Sequence, residues 1–169
     1  MTINAGLMTS NTPEWYTPPA LVADVTRFFG GITLDPCADP QCGVPAQTHY
    51  TDYGLDRPWF GSVYVNPPYG RTIGQWVAKA RWEMAANIGI EIILLLPART
   101  DTAWFQPLLD EATICFVKGR LHFSGAKAGA PFPSALVYLG PFTGSFAKEF
   151  AAWGHIVTPY QVADREATA

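Results

Sequence analysis

The chain has 169 residues, 49% of them hydrophobic and 15% charged, with a formal net charge of −3. That length holds one domain with a substantial core, and that composition excludes a disordered chain. The longest apolar run, Ile92 to Leu96, is too short to span a bilayer, no basic-then-apolar leader is visible, and the acidic balance shows no broad basic stripe for nucleic acid, so a cytoplasmic protein without a membrane partner is expected.

Residues 1–12, rich in Asn, Thr and Ser, read as a flexible tail before a single domain over 13–160, with a short tail at 161–169. Thr17-Pro18-Pro19 gives an N-cap and a proline in the first turn, and Leu21, Val22, Val25, Phe28 and Phe29 recur at helical spacing until Gly30-Gly31. Ile32-Thr33-Leu34 is a short strand ending at Asp35, and the Pro-, Gln- and Cys-containing stretch after it shows only a short strand near His49 to Thr51. Ser62 to Val65 is a strand that feeds Asn66-Pro67-Pro68-Tyr69. Ile73, Trp76, Val77, Ala80 and Met84 mark a helix, and Ile90 to Leu96 is apolar except for Glu91, as in a parallel strand covered on both faces. Thr100-Asp101 is expected to cap a short helix through Leu109, and Thr113 to Val117 and Ala135 to Leu139 read as a closing pair joined as a hairpin. The Gly125 to Ala130 segment between them reads as a surface loop. Strands alternating with helices make this an α/β sheet.

Cys37, Cys42 and Cys115 are an odd number with no disulfide spacing, so reduced thiols are expected. Cys37, Cys42 and His49 are a conceivable zinc set, yet the spacing is loose and lacks a fourth ligand, so no metal is expected.

Two prolines in succession fix their own φ angles and push each preceding residue out of the helical region, so Asn66 is held extended at a strand end. Its amide oxygen beside the Pro67 carbonyl would offer two acceptors suited to an exocyclic NH2, with the Tyr69 ring as a flat surface. A plain Pro turn is the bland alternative. In an open α/β sheet, ligands bind outside the strand carboxyl ends, and Asp35, Asn66 and Arg99 each follow one. Asp35 there could accept hydrogen bonds from a ribose or an amino group. No Gly-x-Gly-x-x-Gly and no phosphate-cradling loop is present, so a cofactor without phosphates fits better.

Read in order, Glu14-Trp15-Tyr16-Thr17-Pro18, Leu34-Asp35-Pro36-Cys37-Ala38, Val65-Asn66-Pro67-Pro68-Tyr69, Trp76 to Ala80, Leu95 to Asp101, Lys118 to Phe123 and Phe132-Pro133-Ser134 are similar to the phage-type DNA N6-adenine methyltransferases, the Dam-like family of phages and prophages. The resemblance spans roughly residues 13 to 140. It implies a Rossmann-like methyltransferase sheet, mostly parallel with a C-terminal antiparallel hairpin, using S-adenosylmethionine on DNA in a bacterial host cell and serving to protect phage DNA from restriction. It implies Asn66, Pro67, Pro68 and Tyr69 as the catalytic turn. Trp15, Thr17 and Pro18 would wall the cofactor, Asp35, Pro36, Cys37 and Ala38 would form its first loop, and Asp52 would reach its adenine. Arg71, Arg99, Lys118 and Arg120 are the candidates for DNA contact. The first loop lacks the glycines many methyltransferases carry, and Asp52-Tyr53-Gly54-Leu55 stands where the family often shows Asp-Gly-Leu. The turn alone also suits cytosine N4 or a protein glutamine amide, and an idle DNA-binding module is a further alternative. A zinc deaminase lacks its His-x-Glu and Pro-Cys-x-x-Cys here.

Overall fold

The computed structural model describes residues 15–41, 43–124 and 128–159. The expected tails at 1–12 and 161–169, together with Glu14, Cys42 and Gly125 to Lys127, lie outside the described residues. Helix α1 (Pro19–Phe29) precedes strands β1 (Ile32–Asp35), β2 (Ala46–His49) and β3 (Ser62–Val65). Helix α2 (Ile73–Ala86), β4 (Glu91–Pro97), α3 (Gln106–Glu111) and β5 (Thr113–Val117) follow, and β6 (Ser134–Leu139), α4 (Thr143–Phe150) and β7 (Gly154–Val157) come last. The strands form one seven-stranded sheet in the order β2-β1-β3-β4-β6-β5-β7.

The expectation of a mostly parallel sheet does not hold. The β2-β1, β1-β3 and β3-β4 pairings are parallel, but β4-β6, β6-β5 and β5-β7 are antiparallel, and β4-β6 is the longest ladder. Strand β6 is the cause. It runs against both β4 and β5, so placing it between two strands of like direction creates two antiparallel contacts. The expected β5-β6 pair is present, joined by residues 118–133 rather than a tight turn, and β7 adds an edge beyond β5.

The sheet is covered on both faces, and residue alternation decides which face each side chain meets. Val63, Val65, Ile92, Leu94, Leu96, Ala135 and Val137 pack toward Trp76, Val77, Phe105 and Leu108 of the α2/α3 side. Their neighbours Tyr64, Ile93, Leu95, Leu136 and Tyr138 pack toward Leu21, Val25, Phe146 and Phe150 of the α1/α4 side. Phe146 stacks on Tyr138 with ring centroids 5.1 Å apart. On the α2 side, the buried carboxylate of Glu83 pairs with Lys79 at 2.6 Å and accepts the Trp59 backbone N–H at 3.1 Å, which anchors the segment entering β3.

Several boundaries differ from the sequence expectation for local reasons. Helix α1 stops where Gly30 turns left-handed at φ 68°, letting Gly30 and Gly31 bond back to Arg27 and Thr26. Pro18, not Thr17, occupies its N-cap position, with no side-chain cap. Thr100 and Asp101 do not cap α3, which begins at Gln106 with a proline in its first turn, and Thr102 Oγ1 instead closes the preceding turn on the Arg99 carbonyl at 2.8 Å. The strand expected at His49 to Thr51 lies at Ala46–His49, set by register with β1. The segment read as a surface loop ends in a buried Ala130, whose N–H bonds the Leu121 carbonyl at 2.9 Å.

Candidate active site

A cavity of about 1240 Å³ opens where β1 and β3 end, and its walls come from four stretches of chain far apart in sequence. Of the residues singled out from sequence, Trp15, Thr17, Asp35, Pro36, Cys37, Ala38, Asp52, Asn66, Pro67 and Pro68 all line it. Pro18 does not, and its neighbour Pro19 takes that place.

The glycine-poor loop after β1 is held by backbone bonds instead of glycine turns. Tyr50 N–H donates to the Asp35 carbonyl at 2.9 Å and Ala38 N–H to the Tyr50 carbonyl at 3.0 Å, tying residues 35–38 to the exit of β2. Gly54 lies so close that a β-carbon there would overlap the Pro36 carbonyl, which fixes a glycine at this position. The Asp35 side chain is 5% exposed, and one of its oxygens accepts the Cys37 N–H at 3.1 Å. Burial lifts its carboxyl to about 6, against the pull of the Cys37 amide and of His49. Burial, and then the Asp35 carboxylate, also hold the Cys37 thiol well above its ordinary range, which keeps it protonated. Asp52 is exposed and paired with Arg57 at 2.9 Å.

Asn66 has the most informative surroundings. Its Nδ2 donates to the Trp15 carbonyl and, at 3.1 Å, to Thr17 Oγ1. A carbonyl can only accept, so these contacts set the amide orientation. Among the described residues its Oδ1 is then left buried with no hydrogen-bond partner. Leaving a buried acceptor unmatched costs on the order of 1–3 kcal/mol, so the folded chain carries an acceptor waiting for a donor.

Tyr69 departs from the expectation of an open flat surface. It is half-buried, its hydroxyl donates to the Leu95 carbonyl at 3.1 Å, and its ring meets Phe123 and Phe132 edge-on at 6.1 and 5.3 Å. It is not among the cavity walls, and it packs partly against both core clusters. Trp15 contacts the same two phenylalanines at 5.1 and 5.3 Å, so an aromatic cluster backs the turn.

Arg71, Arg99, Lys118 and Arg120 lie outside the cavity and are exposed. They follow β3, β4 and β5, which point the same way, so all four stand beyond one edge of the sheet. His49 of the conceivable zinc set bonds the Val44 carbonyl through Nε2 at 2.7 Å, and among the described residues no group of three His, Cys, Asp or Glu is placed to hold a metal ion. No described helix is long and apolar enough to cross a membrane.

Sequence reasoning missed part of the wall. Val44, Pro45, Tyr50, Tyr53 and Ser124 line the cavity, and Tyr53 holds a left-handed φ of 51° while 71% exposed. Beyond the short strand read near His49 to Thr51, residues 43–54 carry little periodicity. Ser124 arrives through an isolated bridge to Tyr16, more than a hundred residues away.

A search of curated proteins returns no match. A family model described as DNA N-6-adenine-methyltransferase (Dam) matches residues 5–137, which include every wall of the cavity and the whole Asn-Pro-Pro-Tyr turn. The chain belongs to this family of DNA adenine methyltransferases.

Proposed function

We propose that the protein transfers a methyl group from S-adenosylmethionine to N6 of an adenine flipped out of DNA, with Asn66-Pro67-Pro68-Tyr69 as the acceptor turn. The observation that carries this reading is the orphaned, buried Oδ1 of Asn66 beside a large cavity. An exocyclic amine supplies the donor that this oxygen lacks.

The cavity suits S-adenosylmethionine by chemistry. It offers a buried carboxyl, Asp35, as acceptor for hydroxyl or amino donors, apolar walls from Pro36, Val44 and Trp76, and no phosphate cradle. When bound, S-adenosylmethionine supplies an electrophilic methyl on a positively charged sulfur. The chain's residues act on the amine. N6 is a poor nucleophile because its lone pair is delocalised into the ring. Asn66 Oδ1 and the Pro67 carbonyl would accept hydrogen bonds from its two N–H groups and stabilise the positive charge that builds on nitrogen as the C–N bond forms and the methyl–sulfur bond breaks, the sulfur leaving as a neutral thioether. One of those protons then leaves to water.

Flipping the base costs a few kcal/mol, and stacking on an aromatic ring returns about 1–3 kcal/mol. Tyr69 is not placed to give that return in this structure: half-buried, with its hydroxyl on the Leu95 carbonyl and its ring against Phe123 and Phe132, it braces the acceptor turn from behind. Arg71, Arg99, Lys118 and Arg120 provide a cationic rim for phosphates on an otherwise acidic protein. The biological role that fits is protection of phage or prophage DNA in the bacterial cytoplasm.

The deciding experiment is transfer of labelled methyl from S-adenosylmethionine to unmethylated DNA, followed by nucleoside digestion and mass spectrometry. N6-methyladenine should form, and Asn66→Ala should slow it on the order of 100-fold or more. Label appearing in N4-methylcytosine or in protein, with none in adenine, would overturn the reading.

A further inference from the structure

We infer that Thr17 is a positioning residue that, together with the Trp15 carbonyl, holds the Asn66 amide in the orientation that leaves its oxygen for the incoming amine, an inference that rests on the methyl transfer proposed above. The two ends of a carboxamide have nearly the same shape, so sterics alone do not choose between them. Turned by half a rotation, Asn66 would present N–H to the N–H groups of the substrate, and the acceptor would become a second donor. The Trp15 carbonyl, which can only accept, makes the choice, and Thr17 Oγ1, also receiving Nδ2, holds the amide in it.

Thr17 is itself held from two sides. Its hydroxyl shares a proton with the Tyr64 hydroxyl at 2.8 Å, and Tyr64 has no exposed surface. Burial raises the Tyr64 phenol, so it stays protonated. Whichever hydroxyl donates, Thr17 Oγ1 keeps a lone pair for Asn66. On the backbone, Ser124 N–H donates to the Tyr16 carbonyl at 2.9 Å and Ser124 Oγ to the Thr17 carbonyl at 3.4 Å. Tyr64 sits on β3 two residues before Asn66, so the strand carrying the acceptor also carries the group that steadies its clamp.

Valine at 17 keeps the shape and removes the acceptor. Thr17→Val should lower kcat for methyl transfer to DNA about 10-fold, the scale of one hydrogen bond, and Thr17→Ser should recover most of it. Tyr64→Phe, outside the cavity, should give a smaller loss of about 3-fold. In the Asn66→Ala background, at saturating S-adenosylmethionine, Thr17→Val should lower kcat much less than in the wild type, because no amide remains to orient. Independently of turnover, the Asn66 side-chain amide protons, assigned by their disappearance in Asn66→Ala, should exchange slowly with solvent in the wild type and fast in Thr17→Val. Wild-type kcat and unchanged amide exchange in Thr17→Val would overturn the inference, as would an equal loss in both backgrounds. A wild type that transfers no methyl would instead sink the proposed function. Amide exchange alone would then decide: loss of protection in Thr17→Val upholds the positioning role, and unchanged protection overturns it.

Discussion

The two halves of the sheet are built differently. On one side, β4, β6, β5 and β7 are antiparallel neighbours whose faces are filled by aromatic side chains such as Phe105, Tyr138, Phe146 and Phe150. On the other, β2, β1 and β3 are short parallel strands linked by residues 36–45 and 50–61, which contain no described helix and which wall the cavity. Parallel neighbours ordinarily have a helix as their crossover. Here loops do that work, and the space a helix would fill is kept as a site. The aromatic packing of α4 lies on one half, and the cavity opens among the loops of the other.

Four substitutions can break or sharpen that contrast. Phe146→Ala, in the dense half, should destabilise the fold by about 3–5 kcal/mol in urea denaturation while leaving cofactor affinity unchanged where the variant is folded. A cofactor affinity that fell in step would mean the halves are not separable.

Asp35→Asn is the next largest. A carboxyl raised from 3.8 to about 6 holds its proton more tightly in the folded chain than in the unfolded one. Its stabilising contribution is therefore complete below about pH 4 and is lost as pH rises through 6. Asp35→Asn should flatten that part of the stability profile and gain up to about 3 kcal/mol above pH 6, while weakening the cofactor. Parallel profiles for wild type and variant between pH 4 and 7 would refute this.

Gly54→Ala must push apart the backbone of residue 54 and the Pro36 carbonyl. About 1–3 kcal/mol of stability should be lost. Under the proposed function, calorimetric titration with S-adenosylmethionine should show affinity falling more than stability, and an unchanged affinity would argue that the loop adapts. Arg81→Ala removes an exposed pair with Glu111, bonded through Nε at 2.7 Å, and should cost less than about 1 kcal/mol, vanishing at high salt.

What was legible in the sequence follows the same division. Strands β3, β4 and β5 and helix α2 announce themselves by apolar runs and periodicity. Asp35 and Asn66 could be placed in one crevice because both follow a strand carboxyl end. Helix α4 is only a Phe146/Phe150 pair at i, i+4 spacing, too short to stand out, and β7 alternates weakly at an edge. The insertion of β6 between β4 and β5 is a tertiary choice that no local pattern encodes. Tyr69 shows a finer limit: its residue type was readable, but the Leu95 carbonyl that takes its hydroxyl lies 26 positions downstream. Likewise, the pairing of Thr17 with Tyr64 and Asn66 is invisible until the chain is folded.

The reversed strand β6 also changes how the protein can be altered. A parallel successor to β5 would require its connection to travel back across the sheet. Because β6 begins at the edge where β5 ends, the chain from 118 to 133 leaves and returns on the site side. Its length is thus uncoupled from the sheet. The same insert carries Ser124, bonded to Tyr16 and Thr17, and Phe123 and Phe132, packed on Trp15 and Tyr69, so exchanging it between related chains would leave every ladder in register and act on the site alone.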